Sequence, residues 1–231
     1  MTRRRSLNEH SFSAADPPPP PPPPPPPTPA APATAPTDKR TAILDAATAV
    51  FAKRGFFGAQ VADIAHTAGI AAGTVYLYFR SKDEILTSIF HRTMKEAIGE
   101  GRAALADVGD PVERLRQIAR MHLARMGRDR NLAIVFQVEL RQTTKFMEQF
   151  SATGLRDYLA VIQQTIEDAQ SNGRFRKSIN ARTAAKVFFG ALDEMATNWI
   201  LSRRRYALAG QADEIVDMLV GGFGAPAKGT K

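Results

Sequence analysis

Apolar residues recur at helical spacing along nearly the whole chain after Thr37, and this pattern predicts an all-α fold. The first predicted helix has one apolar face and ends at Gly55. A second apolar repeat ends at Gly69, and a short predicted helix over residues 71–78 follows it directly. Two short helices joined by a tight turn indicate a helix-turn-helix, which the first helix would complete as a three-helix unit.

Polar capping residues mark the starts of the later helices. Ser81 and Glu84 form a capping-box pattern, in which the serine accepts from a first-turn amide and the glutamate reaches back, and the helix they open is predicted to run to about residue 107. Further helices are predicted over about 111–126 after Asp110, from near Thr144 to Gly173, over 181–202 after Asn180, and over 211–223. Everything after the first three helices is therefore predicted to be helical as well.

The front of the chain differs from the rest. Residues 17–27 are an unbroken proline run that forms neither a helix nor a central strand, because proline lacks the backbone donor and fixes φ. We expect residues 1–37 to be a disordered, basic and proline-rich tail, with a DNA-contacting arm or a ligand for a proline-binding module as the alternatives.

Composition narrows the classes of function. The net charge of +8 favours nucleic acid or another polyanion as a partner, and a solvated basic surface is the alternative. The chain has no cysteine, which excludes disulfides and thiolate chemistry. No apolar run approaches the length of a membrane span, and the basic start lacks an apolar segment behind it, so we expect a cytoplasmic protein with no membrane partner.

The short helix over 71–78 carries side chains suited to DNA. Small residues at its start would let the backbone approach a groove, and the hydroxyls of Thr74, Tyr76 and Tyr78 could reach phosphates or bases. Lys82 stands at the start of the next helix, where it could neutralise a phosphate. Val75 and Phe79 are expected to pack inside the three-helix unit instead.

The segment "VADIAHTAGIAAGTVYLYFRSKDEIL" closely resembles the DNA-binding segment of TetR-like transcriptional regulators, and the resemblance covers residues 38–90. It implies a DNA-binding domain over that range and a homodimer on a palindromic double-stranded operator. The residues expected at the DNA are Gln60, Val61, Ala71, Ala72, Gly73, Thr74, Tyr76, Tyr78 and Lys82. Ala71 and Ala72 replace the serine and the basic or polar residue that many relatives have, so the operator sequence stays open.

Two later helices combine apolar and polar residues unusually. In "NLAIVFQVELR" the apolar residues surround Gln137, Glu139 and Arg141, so these polar groups need partners: one another, the backbone or a ligand. In "FFGALDEMATNWIL" two adjacent faces are apolar. One face would pack in the monomer core, and the other would meet a partner subunit or an apolar ligand.

The stretches "VFQVELRQTTKFMEQF" and "FFGALDEMATNWILSRRRY" resemble the regulatory domain of FadR-like TetR regulators, which control fatty-acid degradation genes. The resemblance implies a ligand-binding and dimerisation domain over residues 91–225, and a long-chain acyl-CoA effector that releases DNA. The expected ligand-binding residues are Phe136, Gln137, Leu140, Arg141, Phe188, Leu192, Met195 and Trp199. Six arginines between Arg114 and Arg130 could form a basic entrance, although a solvated helix face is the commoner role.

The residues carry no enzyme motif. His91 and His122 stand alone in the sequence, and we find no metal-ligand spacing, phosphate-cradling glycine loop or nucleophile elbow. We therefore expect no catalytic residue, no metal and no cofactor beyond the effector. The alternatives are a TetR-like repressor with another hydrophobic effector such as a drug, or an acyl-CoA carrier or enzyme that does not bind DNA. The last class would have no use for "GTVYLYF".

Overall fold

The computed structural model of the chain describes residues 36–142, 144–152, 154–204 and 206–223. These ranges consist of helices and connecting turns without a strand, so the predicted all-α fold is confirmed. The helices are α1 (Pro36–Gly58), α2 (Val61–Thr67), α3 (Ala72–Tyr76), α4 (Lys82–Leu105), α5 (Pro111–Arg128), α6 (Arg130–Gln137), α7 (Thr144–Ala152), α8 (Gly154–Ser171), α9 (Ala181–Leu201) and α10 (Ala212–Phe223). Short 3₁₀ turns occupy Glu139–Arg141 and Leu208–Gln211. The tail predicted over residues 1–37 lies outside the described residues, apart from the two that begin α1.

Gly55 interrupts α1 near its end, where the sequence predicts the helix to stop. Its backbone has φ 72° and ψ 158°, a conformation that is essentially restricted to glycine, and the helix resumes for a short stretch beyond it. The kink redirects the chain toward α2, and the backbone N–H of Phe56, the next residue, contacts the side chain of Glu139.

The turn between α2 and α3 is closed by backbone hydrogen bonds at Gly69. The N–H of Gly69 donates to His66 O at 3.1 Å, and the N–H of Ile70 donates to Ala65 O at 3.0 Å. This paired pattern needs a left-handed residue after the helix, which Gly69 supplies with φ 69°. The helix-turn-helix is therefore built by local backbone geometry.

Side-chain caps start the later helices at the predicted residues. Ser81 Oγ accepts from the N–H of Glu84 at 3.1 Å, but the Glu84 carboxylate accepts from Arg80 N–H at 2.7 Å, one residue before the predicted partner. Asp110 and Asn180 cap α5 and α9 by accepting from backbone N–H groups at 3.0 and 2.9 Å. Each cap satisfies an amide that the first helical turn leaves unpaired.

The helix predicted from Thr144 to Gly173 is two helices, α7 and α8. Gly154 begins α8 in close contact with α4: a Cβ atom at this position would lie 2.7 Å from Met94 Cβ. Only glycine allows such an approach, so packing against a distant helix shapes this junction, and apolar spacing along the chain does not reveal it.

Two hydrophobic cores organise the described helices. The first core joins α1, α2, α3 and α4 to α6, the Glu139–Arg141 turn and α7. The second core is formed mainly by α5, α8, α9 and α10. Leu132, Phe136 and Tyr158 pack against both, so the two cores meet along a shared boundary.

The second core takes up both apolar faces of α9. Phe188, Leu192 and Ala196 are each 0% exposed, and Met195 and Trp199 pack against the same core half-buried. Both faces therefore contribute to the monomer core, and contact of one of them with a partner subunit or an apolar ligand stays a prediction. The large apolar residues that α9 exposes are Val187 and Leu201, which lie outside both predicted stripes.

Within the described ranges, no helix combines the length and the apolar character that a membrane span requires.

Candidate functional site

The helix-turn-helix presents most of the residues predicted to contact DNA at its surface. Gln60, Ala71, Ala72, Gly73 and Tyr76 are exposed, with Tyr76 57% exposed. The half-buried members of the set are Val61, Thr74, Tyr78 and Lys82. Their contact with DNA stays a prediction. Two exposed apolar residues in the same unit, Phe57 and Leu77, escaped the sequence interpretation, because exposure of a single apolar residue leaves no periodic signal.

Val75 and Phe79 lie in the same segment but are buried, as expected. They are 1% and 2% exposed and belong to the first core, where they anchor α3 and the turn after it. The guanidinium of Arg40 on α1 also lies 4.9 Å from the centre of the Phe79 ring. Burial of these two side chains fixes which face of the short α3 points outward.

Lys82 has contacts within the chain in addition to its predicted role at a phosphate. Its Nζ donates to the backbone oxygen of Ala59 at 2.8 Å and to that of Phe57 at 3.4 Å. The same Nζ lies 4.6 Å from the centre of the Phe56 ring. The ammonium group therefore ties the start of α4 to the link between α1 and α2.

A partly open cavity of about 380 Å³ lies between α4, α5, α6, α8 and α9. Its wall is largely apolar and includes Met94, Ile98, Met121, Phe136, Leu155 and Phe189. Polar side chains interrupt the wall near α6 and α9, where Gln137, Arg141 and Asp193 lie, and also along α5. A concave, mostly apolar space with a few polar groups is typical of small-molecule sites.

Three of the eight predicted ligand-binding residues line this cavity: Phe136, Gln137 and Arg141. Leu140 lies in the first core, Phe188 and Leu192 are buried in the second, and Met195 and Trp199 pack against the second. On α9 the cavity is lined by Phe189 and Asp193, each one position after a predicted residue. The apolar pattern of α9 predicts the helix that lines the cavity and not its face, because both faces of the helix are apolar.

The polar residues around Gln137 form an internal network. Asp193 accepts from Gln137 Nε2 at 3.0 Å and from the Arg141 guanidinium at 2.6 Å. Thr197 Oγ1 completes the network by donating to Gln137 Oε1 at 3.0 Å. Of the alternatives left open by the sequence, the internal network is present, and three of its members also line the cavity.

Glu139, between these cavity residues in sequence, bonds in another direction. Its side chain is buried, and Oε2 accepts from the backbone N–H of Phe56 at 2.6 Å and from Gln142 Nε2 at 2.8 Å. Phe56 directly follows the Gly55 kink. The Glu139–Arg141 turn therefore contacts the cavity through Arg141 and the helix-turn-helix unit through Glu139.

His122 also lies at the cavity, although it stands alone in the sequence. Its Nδ1 is 3.1 Å from the hydroxyl oxygen of Tyr158, and its ring packs edge-on to Phe189. Burial lowers the pKa of His122 to about 4, against an ordinary value of 6.5, so the imidazole is neutral near pH 7. Burial likewise raises the pKa of the Tyr158 hydroxyl. The pairing joins α5 to α8 and leaves no signal in the sequence.

Three arginines of α5 line the cavity: Arg120, Arg125 and Arg128. Arg120 pairs with Asp213 at 2.9 Å and Arg125 with Glu100 at 2.6 Å. Arg128 has no carboxylate within 4.0 Å in the part of the chain that the structure describes. The other arginines of the predicted basic group bond elsewhere, Arg114 to Asp168, Arg116 to Asp217 and Arg130 to the end of α9. No cluster of three potential metal ligands occurs among the described residues.

Comparison with known proteins relates both halves of the chain to regulators. Residues 43–89 match the family described as "Bacterial regulatory proteins, tetR family", and residues 90–222 match "YsiA-like protein, C-terminal region". The "Fatty acid metabolism regulator protein" of Bacillus subtilis (strain 168) is 33% identical over 181 residues, which are 78% of this chain and 93% of that protein.

Solved structures agree with these matches. The transcriptional regulator FadR from Bacillus subtilis in complex with stearoyl-CoA superposes with a TM-score of 0.76 at 32% identity, covering 79% of this chain and 98% of that one. The fatty acid degradation regulator FadR from Bacillus halodurans gives a TM-score of 0.75 at 34% identity, with the same two coverages of 79% and 98%.

Proposed function

This chain belongs to the TetR family of bacterial regulatory proteins, and from that premise we propose that it is a homodimeric repressor released from a palindromic operator by a long-chain acyl-CoA. It is a DNA-binding transcriptional repressor of the type that includes the fatty-acid regulators, and such regulators are not enzymes. The identity of the effector, the dimer and the form of the operator are parts of the proposal.

The partly open cavity is the observation that carries the proposal. Its volume of about 380 Å³ and its methionine-rich and aromatic wall suit a long apolar chain, which would be stabilised there by burial. The FadR relative whose structure was solved with stearoyl-CoA supports the same class of effector. Arg128 offers a cation at the cavity wall for the phosphates of the CoA moiety.

Two connections would carry a change in the cavity to the DNA. Helix α4 lines the cavity through Met94 and Ile98, and its first residue Lys82 is bound to the link between α1 and α2. The Glu139–Arg141 turn makes the second connection, through the hydrogen bond that Phe56 donates to Glu139. For release to occur, the ligand must bind more tightly to the conformation whose α3 helices are misplaced for the operator.

The dimer is proposed to form through exposed faces of α9 and α10, as in a four-helix bundle across a two-fold axis. Met218 is 66% exposed on α10, and Val187 and Leu201 supply exposed apolar surface on α9. We expect Met218→Glu to give monomers in sedimentation experiments. An intact dimer in this variant would exclude Met218 from the interface.

The test is titration of the protein bound to DNA from its own promoter region with acyl-CoAs of increasing length, a free fatty acid and a cationic dye. Each added methylene should lower the acyl-CoA concentration needed for release about fourfold until the cavity is full, because burying one methylene contributes about 0.8 kcal/mol to binding. Release that is independent of chain length, or equal with the free acid, would contradict the acyl-CoA assignment. Failure to retard any promoter DNA specifically would favour a carrier or an enzyme.

A further inference from the structure

His122 differs from the polar residues near it in the cavity wall. Gln137, Arg141 and Asp193 satisfy one another, whereas His122 Nε2 is shielded from solvent and has no hydrogen-bond partner among the described residues. Buried polar atoms in native proteins are nearly always paired, so an unpaired one beside a cavity points to a ligand atom.

Tyr158 determines what His122 can offer to a ligand. A neutral imidazole has one donor and one acceptor nitrogen. If the Tyr158 hydroxyl donates to Nδ1, then Nε2 carries the hydrogen and is the only unpaired group of the two side chains. The opposite tautomer would leave both the Tyr158 hydrogen and Nε2 without described partners, so the first arrangement satisfies more groups.

We propose that His122 Nε2–H donates a hydrogen bond to the thioester carbonyl oxygen of the bound acyl-CoA, an assignment that rests on the function proposed above. The acyl chain beyond the carbonyl has no acceptor, so His122 Nε2–H, a neutral donor whose hydrogen bond is unfilled among the described residues, matches this one atom. Phe189 and Met121 would then contact the adjoining methylenes. A neutral donor also suits an uncharged thioester better than the carboxylate of a free fatty acid, which would have to be desolvated there.

The experiment compares palmitoyl-CoA with S-hexadecyl-CoA, a thioether that has a methylene in place of the carbonyl. Dissociation constants are measured by isothermal titration of the full chain. The wild type should bind the thioester about five- to tenfold more tightly, the usual value of one neutral hydrogen bond. His122→Phe should bind the two ligands equally. His122→Gln, whose amide nitrogen replaces Nε2, should keep the preference, and Tyr158→Phe should reduce it.

The outcomes separate this assignment from the proposed function. Equal binding of both ligands by the wild type, or a preference that persists in His122→Phe, would overturn the carbonyl contact and leave an acyl-CoA effector in place. If neither ligand binds the wild type, the acyl-CoA effector itself fails. Should His122→Phe not fold, as judged by its thermal transition, the wild-type preference and the His122→Gln and Tyr158→Phe pair still decide the question.

Discussion

Glu139 and His122 are ionisable residues at the two hydrophobic cores, and their surroundings differ. Glu139, at the first core, has its carboxylate bonded to a backbone N–H and a side-chain amide of the same chain. His122, beside the second core, has one ring nitrogen bonded and the other unpaired next to a cavity. At the first core, the Glu139 carboxylate is hydrogen-bonded and links the Glu139–Arg141 turn to α1. Beside the second core, His122 Nε2 has no hydrogen-bond partner among the described residues.

The residues of the short segment from Gln137 to Arg141 contact different parts of the molecule. The ends of the segment face the cavity, where the effector is proposed to bind, and its middle residue, Glu139, holds the backbone after the Gly55 kink. Because Glu139 and Arg141 belong to one short 3₁₀ turn, a ligand that displaces Arg141 would also move the acceptor of the Phe56 N–H.

The largest effect that we expect from the difference between His122 and Glu139 is on the pH dependence of the free energy of unfolding, which His122 should change. Its pKa in the folded protein, about 4, lies below the ordinary value of 6.5, so the unfolded chain binds a proton between these values that the folded chain does not. The contribution of neutral, buried His122 to the free energy of unfolding should therefore be complete above pH 6.5. It should decrease as the pH drops toward about 4, by at most about 3 kcal/mol. Urea unfolding at fixed protomer concentration measures it.

His122→Gln is the matched control, since glutamine has no ionisation in this range and the other histidines are unchanged. The wild type should lose more stability than the variant between pH 6.5 and 4. Parallel curves for the two proteins would mean that His122 is not buried in its neutral form, and the contrast with Glu139 would disappear.

The sequence predicts the helix starts well and the site only in part, for a physical reason that particular residues illustrate. The caps at Ser81, Asp110 and Asn180 act on amides a few residues away, so local sequence contains them. The bond from Phe56 to Glu139 spans 83 positions, and the contact between His122 and Tyr158 spans 36. No periodic pattern encodes such pairs.

The choice of face on α9 shows the same limit. Phe188 and Phe189 are adjacent and chemically identical, yet the first is buried in the second core and the second lines the cavity. The packing of α9 against α5 and α8 decides between them, and that arrangement is a property of the folded chain. The sequence of α9 therefore predicts which helix lines the cavity and not which of its residues do so.

A smaller effect is expected on the Glu139 side of the comparison. Glu139→Ala leaves the buried N–H of Phe56 without its acceptor, which should lower the free energy of unfolding by about 1–3 kcal/mol. Glu139→Gln keeps an acceptor oxygen and should lose less. If the bond also transmits effector binding, palmitoyl-CoA should still bind Glu139→Ala with a similar dissociation constant but weaken its operator complex less than in the wild type.

Glu148→Gln, at an exposed carboxylate on α7, controls for loss of negative charge alone. Equal release of DNA from wild type and Glu139→Ala at saturating palmitoyl-CoA would assign Glu139 to stability and exclude it from coupling.

The smallest expected effect concerns Lys82, which belongs to the helix-turn-helix side and already bonds to Ala59 and Phe57 oxygens. If its ammonium also neutralises a phosphate, Lys82→Ala should weaken DNA binding about equally on all sequences. The slope of log affinity against log salt should then decrease by about one for each helix-turn-helix bound to DNA. Lys177→Ala, which removes an exposed charge between α8 and α9, should leave the slope unchanged. A lower free energy of unfolding with an unaltered slope would restrict Lys82 to holding α4 against the link between α1 and α2.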